Sequence, residues 1–209
     1  MTQNTKTAYF AVDVQNDFCE GGALGVRGGT QVADAIASHL RLYSNEYDAI
    51  VASRDWHIDP GTHWAPEGEE PNFVTTWPVH CAANTPGANY KQALADFLNS
   101  RVRNQNIEVL KGQYEDAYSA FMGKTLDGEH IGDVLRAQGI TTLVLGGIAT
   151  DHCVKATALD ALNEGFEVIV RLDHVAGVDD TASVAALAEV ELAGGEIRGT
   201  MGTIKIGTN

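Results

Sequence analysis

The sequence predicts an α/β fold, a three-layer α/β/α arrangement in which a mostly parallel six-stranded sheet carries helices on both faces. Two observations support it. Apolar runs of strand length alternate along the chain with segments whose apolar residues recur every three or four positions. The runs are nearly continuous, which is typical of parallel strands buried on both faces. Neither an internal repeat nor a linker interrupts the pattern, so residues 1–209 are expected to form one domain.

The first part of the chain supplies two strands and one helix. Residues 9–14 form an apolar run that predicts a first strand, and it contains Asp13. The glycine-rich segment 21–30 lacks the Lys-Ser/Thr pair of a phosphate-binding loop and the dinucleotide glycine spacing, so it is interpreted as a mobile loop that could act as a lid. Residues 32–43 have the spacing of an amphipathic helix, and residues 48–53 predict the second strand.

The remaining elements continue the alternation after a long irregular stretch, residues 54–88. In order they are a helix over 89–98, a strand over 107–110, a helix over 131–138 closed by a glycine, a strand over 142–145, a helix that begins near residue 150, a strand over 166–172, a helix over 181–192, and a last strand at either 196–198 or 203–206. Strands and helices in this order predict a sheet with ligand-binding residues outside the carboxyl ends of its strands.

Charge and cysteine content restrict the partners and the compartment. The chain has 14 Lys plus Arg against 28 Asp plus Glu, a net charge of −14, which repels nucleic acid and anionic lipid and favours a small neutral or cationic partner. No stretch is apolar enough to span a membrane, and the N-terminal residues do not resemble a signal peptide. Three widely spaced cysteines give no disulfide framework and favour a reducing cytoplasm. A homo-oligomer is left open.

Cys153 is the first candidate for chemistry. It lies just past the strand over 142–145, in the first turn of a predicted helix. Unpaired backbone N–H groups and the positive end of the helix dipole favour a thiolate there. Gly146 and Gly147 precede it and would let the backbone approach a ligand closely. The alternative is a small buried hydrophobic residue, the commoner fate of a free cysteine.

Three other reactive residues occupy equivalent positions. Asp13, Asp55 and Lys111 each lie at or just past the carboxyl end of a predicted strand, as Cys153 does. Because those ends share one edge of a parallel sheet, we expect the four side chains to converge. Taken singly, Asp13 could instead be a hydrogen-bonded strand end and Lys111 an ordinary solvated lysine.

The irregular stretch carries a candidate metal site. Its possible ligands are Asp55, His57, His63 and His80, all within 26 residues. Imidazole and carboxylate groups suit zinc, iron or manganese, and loops of this length inside a compact domain are usually functional. Histidines that only bond to the backbone are the alternative, but four candidate ligands favour one divalent ion, with zinc preferred.

These residues predict a cysteine amidase. His152 is a poor partner for Cys153, because adjacent helical side chains point about 100° apart. Asp13 is therefore the predicted base, and Lys111 with the helix end is expected to lower the pKa of the thiol. The thiolate would attack an amide carbonyl, with the backbone N–H groups of Ala149 and Cys153 holding the oxyanion.

Five segments carry a family resemblance. VDVQNDF, SRDWHIDPGTHW, WPVHC, a strand ending in Lys-Gly, and GGIATDHCVKATALDA occur in order between residues 8 and 162. Together they resemble the nicotinamidase branch of the isochorismatase-like hydrolases. The resemblance implies that fold, with Cys153 as nucleophile, Asp13 as base and Lys111 as their partner. It also implies a cis peptide between Ile148 and Ala149, shaping the oxyanion hole.

The same resemblance implies a metal set and a pocket. Its metal ligands fall on Asp55, His57 and His80, with His63 as a fourth in some members, and the ion receives the substrate's ring nitrogen. The implied substrate-binding residues are Phe18, Leu24, Trp77, Tyr118, Ile148 and Ala149.

The implied activity is hydrolysis of nicotinamide, and of pyrazinamide, to the acid and ammonia through a cysteine thioester, in NAD salvage. An isochorismatase, an N-carbamoyl amidohydrolase, or a metal- or thiol-based binding or redox module are the alternatives.

Overall fold

The computed structural model describes residues 5–101 and 106–199. Its strands are β1 (Lys6–Val12), β2 (Ala49–Asp55), β3 (Asn106–Lys111), β4 (Lys124–Thr125), β5 (Ile140–Ile148), β6 (Glu167–Ala176) and β7 (Glu196–Arg198). Its α-helices are α1 (Gly29–Tyr43), α2 (Gln92–Ser100), α3 (Ile131–Ala137), α4 (Lys155–Asn163) and α5 (Asp180–Leu192). The α/β class is therefore confirmed.

The strands form one sheet in the order β4-β3-β2-β1-β5-β6-β7. Every pair is parallel except β3 with β4. The predicted number of six strands is wrong by one, because β4 has two residues and is too short to leave an apolar pattern. Of the two candidates for the last strand, Glu196–Arg198 is the one observed, and residues 203–206 lie outside the described residues.

Two apolar cores cover the two faces of the sheet, as the three-layer prediction requires. Side chains alternate along a strand, so Phe10 of β1 faces the core shared with α3, α4 and α5, and its neighbour Tyr9 faces the core shared with α1 and α2. Within the described residues, no helix has both the length and the apolar character needed to cross a membrane.

The strand order reverses between β1 and β5, and this point lies beside the candidate site. Gly147 of β5 pairs with Val12 of β1. A Cβ on Gly147 would stand 2.0 Å from the Val12 carbonyl oxygen, and the φ angle of Gly147 is +146°. Only glycine allows the two strands to approach this closely. The ends of β1 and β5, which carry Asp13 and Cys153, are thereby brought next to each other.

The glycine-rich segment 21–30 is closed by hydrogen bonds between the residue that precedes it and its last residues. The Glu20 carboxylate accepts hydrogen bonds from the backbone N–H groups of Gly28 (2.6 Å) and Thr30 (2.9 Å). These bonds satisfy donors at the start of α1, which explains why the helix begins at Gly29 rather than at the predicted residue 32. The segment therefore forms a closed loop against the site.

Candidate active site

The carboxyl edge of the sheet brings the four predicted reactive residues together. Asp13 follows β1, Asp55 ends β2, Lys111 ends β3, and Cys153 follows β5. The Lys111 Nζ atom lies 3.0 Å from Asp13 Oδ2 and 3.6 Å from Cys153 Sγ, and it also pairs with Asp55 Oδ1. A carboxylate oxygen of Asp13 and the Cys153 sulfur lie within 4.8 Å of each other, which is close enough for proton transfer directly or through one water.

Asp13 is held in an enclosed and polar position. It is fully buried, with a φ angle of +49°, and its Oδ1 accepts a 2.7 Å hydrogen bond from Ser53 Oγ. Burial raises the pKa of Asp13 above its usual value, the Lys111 ammonium opposes this, and the Asp55 carboxylate adds to the rise. A carboxyl group with a raised pKa can accept a proton and give it back, as the predicted base must.

The surroundings of Cys153 differ from the sequence expectation in two ways. The residue lies in a π-helical turn, Thr150–Val154, which precedes α4 and is wider than the expected first α-helical turn. Burial raises the pKa of the thiol well above its usual value; Lys111 lowers it in part, while Asp13 and Asp55 raise it. Lys111 therefore acts on the pKa of the thiol in the expected direction, but it does not offset burial between two carboxylates, which disfavours the anion.

Asp55 links the cysteine side of the site to three histidines. One of its carboxylate oxygens pairs with Lys111, and the other lies 3.6 Å from His57 Nε2 and 4.0 Å from His80 Nε2. Burial would raise the pKa of Asp55, but Lys111 and the neighbouring imidazoles bring it below its usual value. Asp55 is therefore an anion, as a metal ligand should be.

The histidines have the orientation that metal binding requires. The Nδ1 atoms of His57 and His80 lie 2.5 Å and 2.7 Å from the backbone carbonyl oxygens of Gly112 and Pro78. Because a carbonyl oxygen can only accept a hydrogen bond, each Nδ1 carries the proton. The Nε2 atom of each ring then has a lone pair for a metal ion. One ligand nitrogen each from His57, His63 and His80 falls within 4.8 Å of the others. Burial lowers the pKa of His63 to about 4, so this imidazole is neutral.

The donor set fits a divalent metal ion. The Nε2 atom of His57 is buried and has no hydrogen-bond partner, and a buried polar atom of this kind calls for a partner such as an ion. Ligands at about 2.0–2.2 Å from one ion stand roughly 3–4 Å apart, and the separations of 3.6 Å and 4.0 Å between Asp55 and the two histidines agree with this. Three imidazoles, with the Asp55 carboxylate beside two of them, can therefore hold one divalent cation here.

A cavity of about 430 Å³ opens onto both halves of the site. Cys153, Asp55, His63 and His80 line it. Five of the six expected substrate-binding residues also line it: Phe18, Leu24, Trp77, Tyr118 and Ala149. Its size and its apolar wall with a few polar groups are typical of small-molecule sites.

Ile148 is the exception among the expected pocket residues. Its side chain is fully buried in the core shared with α1, near Gly29, so it does not line the cavity. The reason is strand alternation, since Ile148 is the last residue of β5 and its side chain points into the core shared with α1 and α2. The peptide between Ile148 and Ala149 is cis, as the family resemblance implied.

Three buried polar residues support the site and were not singled out from the sequence. Ser53 donates to Asp13. Gln15 holds the backbone of Asp55, because its Nε2 donates to the Asp55 carbonyl (2.9 Å) and its Oε1 accepts from the Asp55 N–H (2.8 Å). Asp151 accepts hydrogen bonds from the backbone after β6. A polar residue inside or directly after an apolar run was the available signal for Ser53 and Gln15.

We expect a small thiol reagent such as iodoacetamide to modify Cys153 before Cys19 or Cys81. Cys153 lines the cavity, whereas the other two side chains are fully buried elsewhere in the core. Burial raises the pKa of all three thiols, to about 11 for Cys19, so access decides the order. Timed alkylation near neutral pH followed by peptide mass analysis measures the three rates, and equal rates would contradict the prediction.

Fold and site together define a class of enzyme: hydrolases with a three-layer α/β/α fold that carry a cysteine, an aspartate and a lysine at the carboxyl edge of a parallel sheet. Within this class the chain belongs to the isochorismatase domain family, whose profile matches residues 7–201.

Named relatives agree with this assignment. The chain is 41% identical over 190 residues to the nicotinamidase/pyrazinamidase of Mycobacterium tuberculosis, covering 91% of this chain and 97% of the relative, and 34% identical to the nicotinamidase of Escherichia coli, covering 88% and 90%. Among solved structures, the pyrazinamidase of Pyrococcus horikoshii in complex with zinc is 32% identical with a TM-score of 0.77, covering 93% of this chain and 99% of that one. PnC1 from L. infantum in complex with nicotinate is 30% identical with a TM-score of 0.74, covering 94% and 93%. The resemblance found in the sequence is confirmed.

Proposed function

We propose that this protein hydrolyses nicotinamide, and also pyrazinamide, to the corresponding carboxylate and ammonia, in NAD salvage. The observation that carries the proposal is the contact of buried Lys111 with both Asp13 and Cys153, because Cys153 lines a small-molecule cavity. Relatives named nicotinamidase at 41% and 34% identity support the choice of substrate. The acidic surface and the three free cysteines fit a cytoplasmic enzyme with a small neutral substrate.

The reaction begins with a proton transfer inside the buried cluster. Asp13 accepts the proton of the Cys153 thiol, and the sulfur attacks the carbonyl carbon of the amide. Lys111 keeps its positive charge, since the pKa of Lys111 is raised above its usual value by the two carboxylates, against the effect of burial. The cation therefore compensates the negative charge whether it resides on the carboxylate or on the sulfur.

The tetrahedral intermediate then collapses to a thioester. Backbone N–H groups of Ala149 and Cys153 hold the oxyanion. Protonated Asp13 gives its proton to the amide nitrogen, the C–N bond breaks, and ammonia leaves. Asp13, again a carboxylate, accepts a proton from water as that water attacks the thioester. The C–S bond breaks, the acid product leaves, and the cysteine recovers its proton.

The aromatic wall of the cavity selects a flat ring. Phe18 and Trp77 line the cavity, and the Trp77 Nε1–H donates to Tyr118 Oη at 3.0 Å. This bond fixes the indole plane. A pyridine or pyrazine carboxamide held against the aromatic side chains would present its amide carbon toward Cys153.

Asp55, His57, His63 and His80 would hold one divalent cation, and zinc is the ion we propose because the related pyrazinamidase from Pyrococcus horikoshii was solved with zinc. When bound, the ion supplies a Lewis acid that can receive a ring nitrogen of the substrate. The chain itself orients these ligands. The carbonyl oxygens of Gly112 and Pro78 hold His57 and His80, and Gln15 holds the backbone of Asp55.

We expect the purified protein to contain about one equivalent of metal, and His57→Ala to lower the content at least tenfold. His57 offers a buried nitrogen with no other partner, and loss of one ligand of four removes much of the affinity. Elemental analysis measures the content directly. His39→Ala is the matched control and should leave the metal content unchanged, since His39 bonds to Tyr47 and is not a member of the cluster. Metal retained by His57→Ala would contradict the ligand assignment.

One assay tests the proposed function. Ammonia release is measured with nicotinamide, pyrazinamide, an N-carbamoyl amino acid and maleamate, and isochorismate is tested for vinyl-ether cleavage. We expect turnover of the two aromatic amides at least 100-fold above the rest. A preference for an N-carbamoyl substrate or for isochorismate would assign the chain to another activity of the family. Absence of hydrolysis of all five compounds would favour a binding or redox role.

A further inference from the structure

A tight turn, residues 72–76, stands at the mouth of the cavity and will be called the rim turn. Asn72 organises it, because its Oδ1 accepts hydrogen bonds of 2.8–2.9 Å from the backbone N–H groups of Val74, Thr75 and Thr76. The Asn72 Nδ2 group also donates to Thr75 Oγ1, and the Phe73 N–H donates to the Thr76 carbonyl. This bonding fixes the turn without packing it into the core.

The rim turn presents an aromatic ring to the cavity. Phe73 lines the cavity although its side chain is 59% exposed, so it stands at the opening. Its φ angle is +55°, a conformation that favours glycine and is costly for a bulky residue. Its ring meets the Trp77 ring edge-on, with centroids 6.2 Å apart.

Phe73 extends the aromatic wall outward from the reactive centre. Trp77 is almost completely buried and bonds to Tyr118, so the ring of Phe73 rests on a fixed support. The neighbouring Val74 belongs to the same turn but is 74% exposed and does not line the cavity. Val74 is therefore a control for a residue of the same turn that makes no contact with whatever occupies the cavity.

We propose that Phe73 is a specificity-determining residue that limits the size of the aromatic amide the cavity admits. Cys153, Trp77 and Phe73 line the same cavity, so an aromatic ring that rests against Trp77 with its amide toward Cys153 would turn its outer edge toward Phe73. A fused second ring or a bulky substituent on that edge would collide with it. Asn72 acts as a positioning residue through the rim turn. The inference rests on the proposed function for its substrate class, aromatic carboxamides.

The first test compares nicotinamide with quinoline-3-carboxamide, its benzo-fused analogue. For Phe73→Ala we expect KM for nicotinamide to rise about 3- to 10-fold, from the lost aromatic contact, with kcat unchanged. The ratio of kcat/KM for the fused amide to that for nicotinamide should rise roughly 10- to 100-fold. Val74→Ala should leave the ratio at its original value. Asn72→Ala should shift this ratio in the same direction as Phe73→Ala. Asn72→Asp keeps the Oδ1 acceptor and should therefore keep the original ratio.

The second test does not depend on amidase activity. The rate of Cys153 modification is measured with iodoacetamide and with the bulkier N-phenylmaleimide. Phe73→Ala should raise the rate of the bulky reagent relative to the small one at least fivefold, and Val74→Ala should not. If neither amide is hydrolysed, the proposed function fails, and the reagent ratio still decides the role of Phe73. An unchanged reagent ratio in Phe73→Ala, or an equal change in Val74→Ala, overturns the inference.

Discussion

Cys153→Ala is expected to abolish ammonia release from nicotinamide, lowering kcat by roughly 10⁴- to 10⁶-fold, as removal of a hydrolase nucleophile does elsewhere. The sulfur lies on the cavity wall beside Lys111 and Asp13. The replaced group is small, and alanine fits the same turn, so the fold should persist. Steady-state ammonia detection on protein checked for native circular dichroism measures the effect.

Cys19→Ala is the matched control for this loss. Cys19 is buried in the core and does not line the cavity, so its removal should leave kcat within about twofold and cost only the stability of a small packing defect. Activity of Cys153→Ala above about 1% of the original would show that the sulfur is not the nucleophile, and the hydrolysis would then need another attacking group.

The fold class could be predicted from the sequence because the signal is strong. Continuous apolar runs mark buried parallel strands, and the predicted strands match β1, β2, β3, β5 and β6 within a few residues. Features set by tertiary contact could not be predicted. β4 is only two residues long. The π-helical turn before α4 differs from an α-helical turn in hydrogen bonding by one residue, and the spacing of apolar residues does not distinguish the two.

The candidate site, like the fold, could be predicted from the sequence only in part. Which residues meet at the site could be predicted, because reactive groups follow strand ends and the motifs mark them. Their detailed pairing could not, because it depends on register. Asp55 and Lys111 are partners across β2 and β3, which directs Lys111 to two carboxylates at once. Two carboxylates and burial then outweigh one ammonium at the thiol, so the pKa of Cys153 is raised rather than lowered.

That pairing gives Lys111 a structural role in addition to its proposed role beside the nucleophile and the base. Its side chain is fully buried and contacts Asp13, Asp55 and the Ala117 carbonyl oxygen, the last at 2.7 Å. Two buried carboxylates depend on this one ammonium. Removal of one member of a buried ionic group leaves the others uncompensated, which is more costly than the loss of any exposed pair.

We therefore expect Lys111→Met, which keeps the side-chain length, to lower the free energy of unfolding by about 3–5 kcal/mol and to abolish turnover. Lys155→Met is the matched control, because Lys155 forms an exposed pair with Glu189 at 3.3 Å, and such pairs contribute about 0–1 kcal/mol. Denaturant unfolding and ammonia release measure both effects. Unchanged stability in Lys111→Met would contradict the pairing described for this site.

Asp13→Asn separates the proposed proton transfer from the contribution that the buried charges make to stability. It removes the proposed base but keeps its shape, and Lys111 retains Asp55 as a partner. We expect turnover to fall at least 10³-fold with less loss of stability than in Lys111→Met, because no carboxylate is left alone. If the two variants were equally unstable, the loss of activity in each would reflect damage to the fold. A stable but inactive Asp13→Asn instead assigns the loss to proton transfer, which is the step that requires a carboxyl group beside the sulfur.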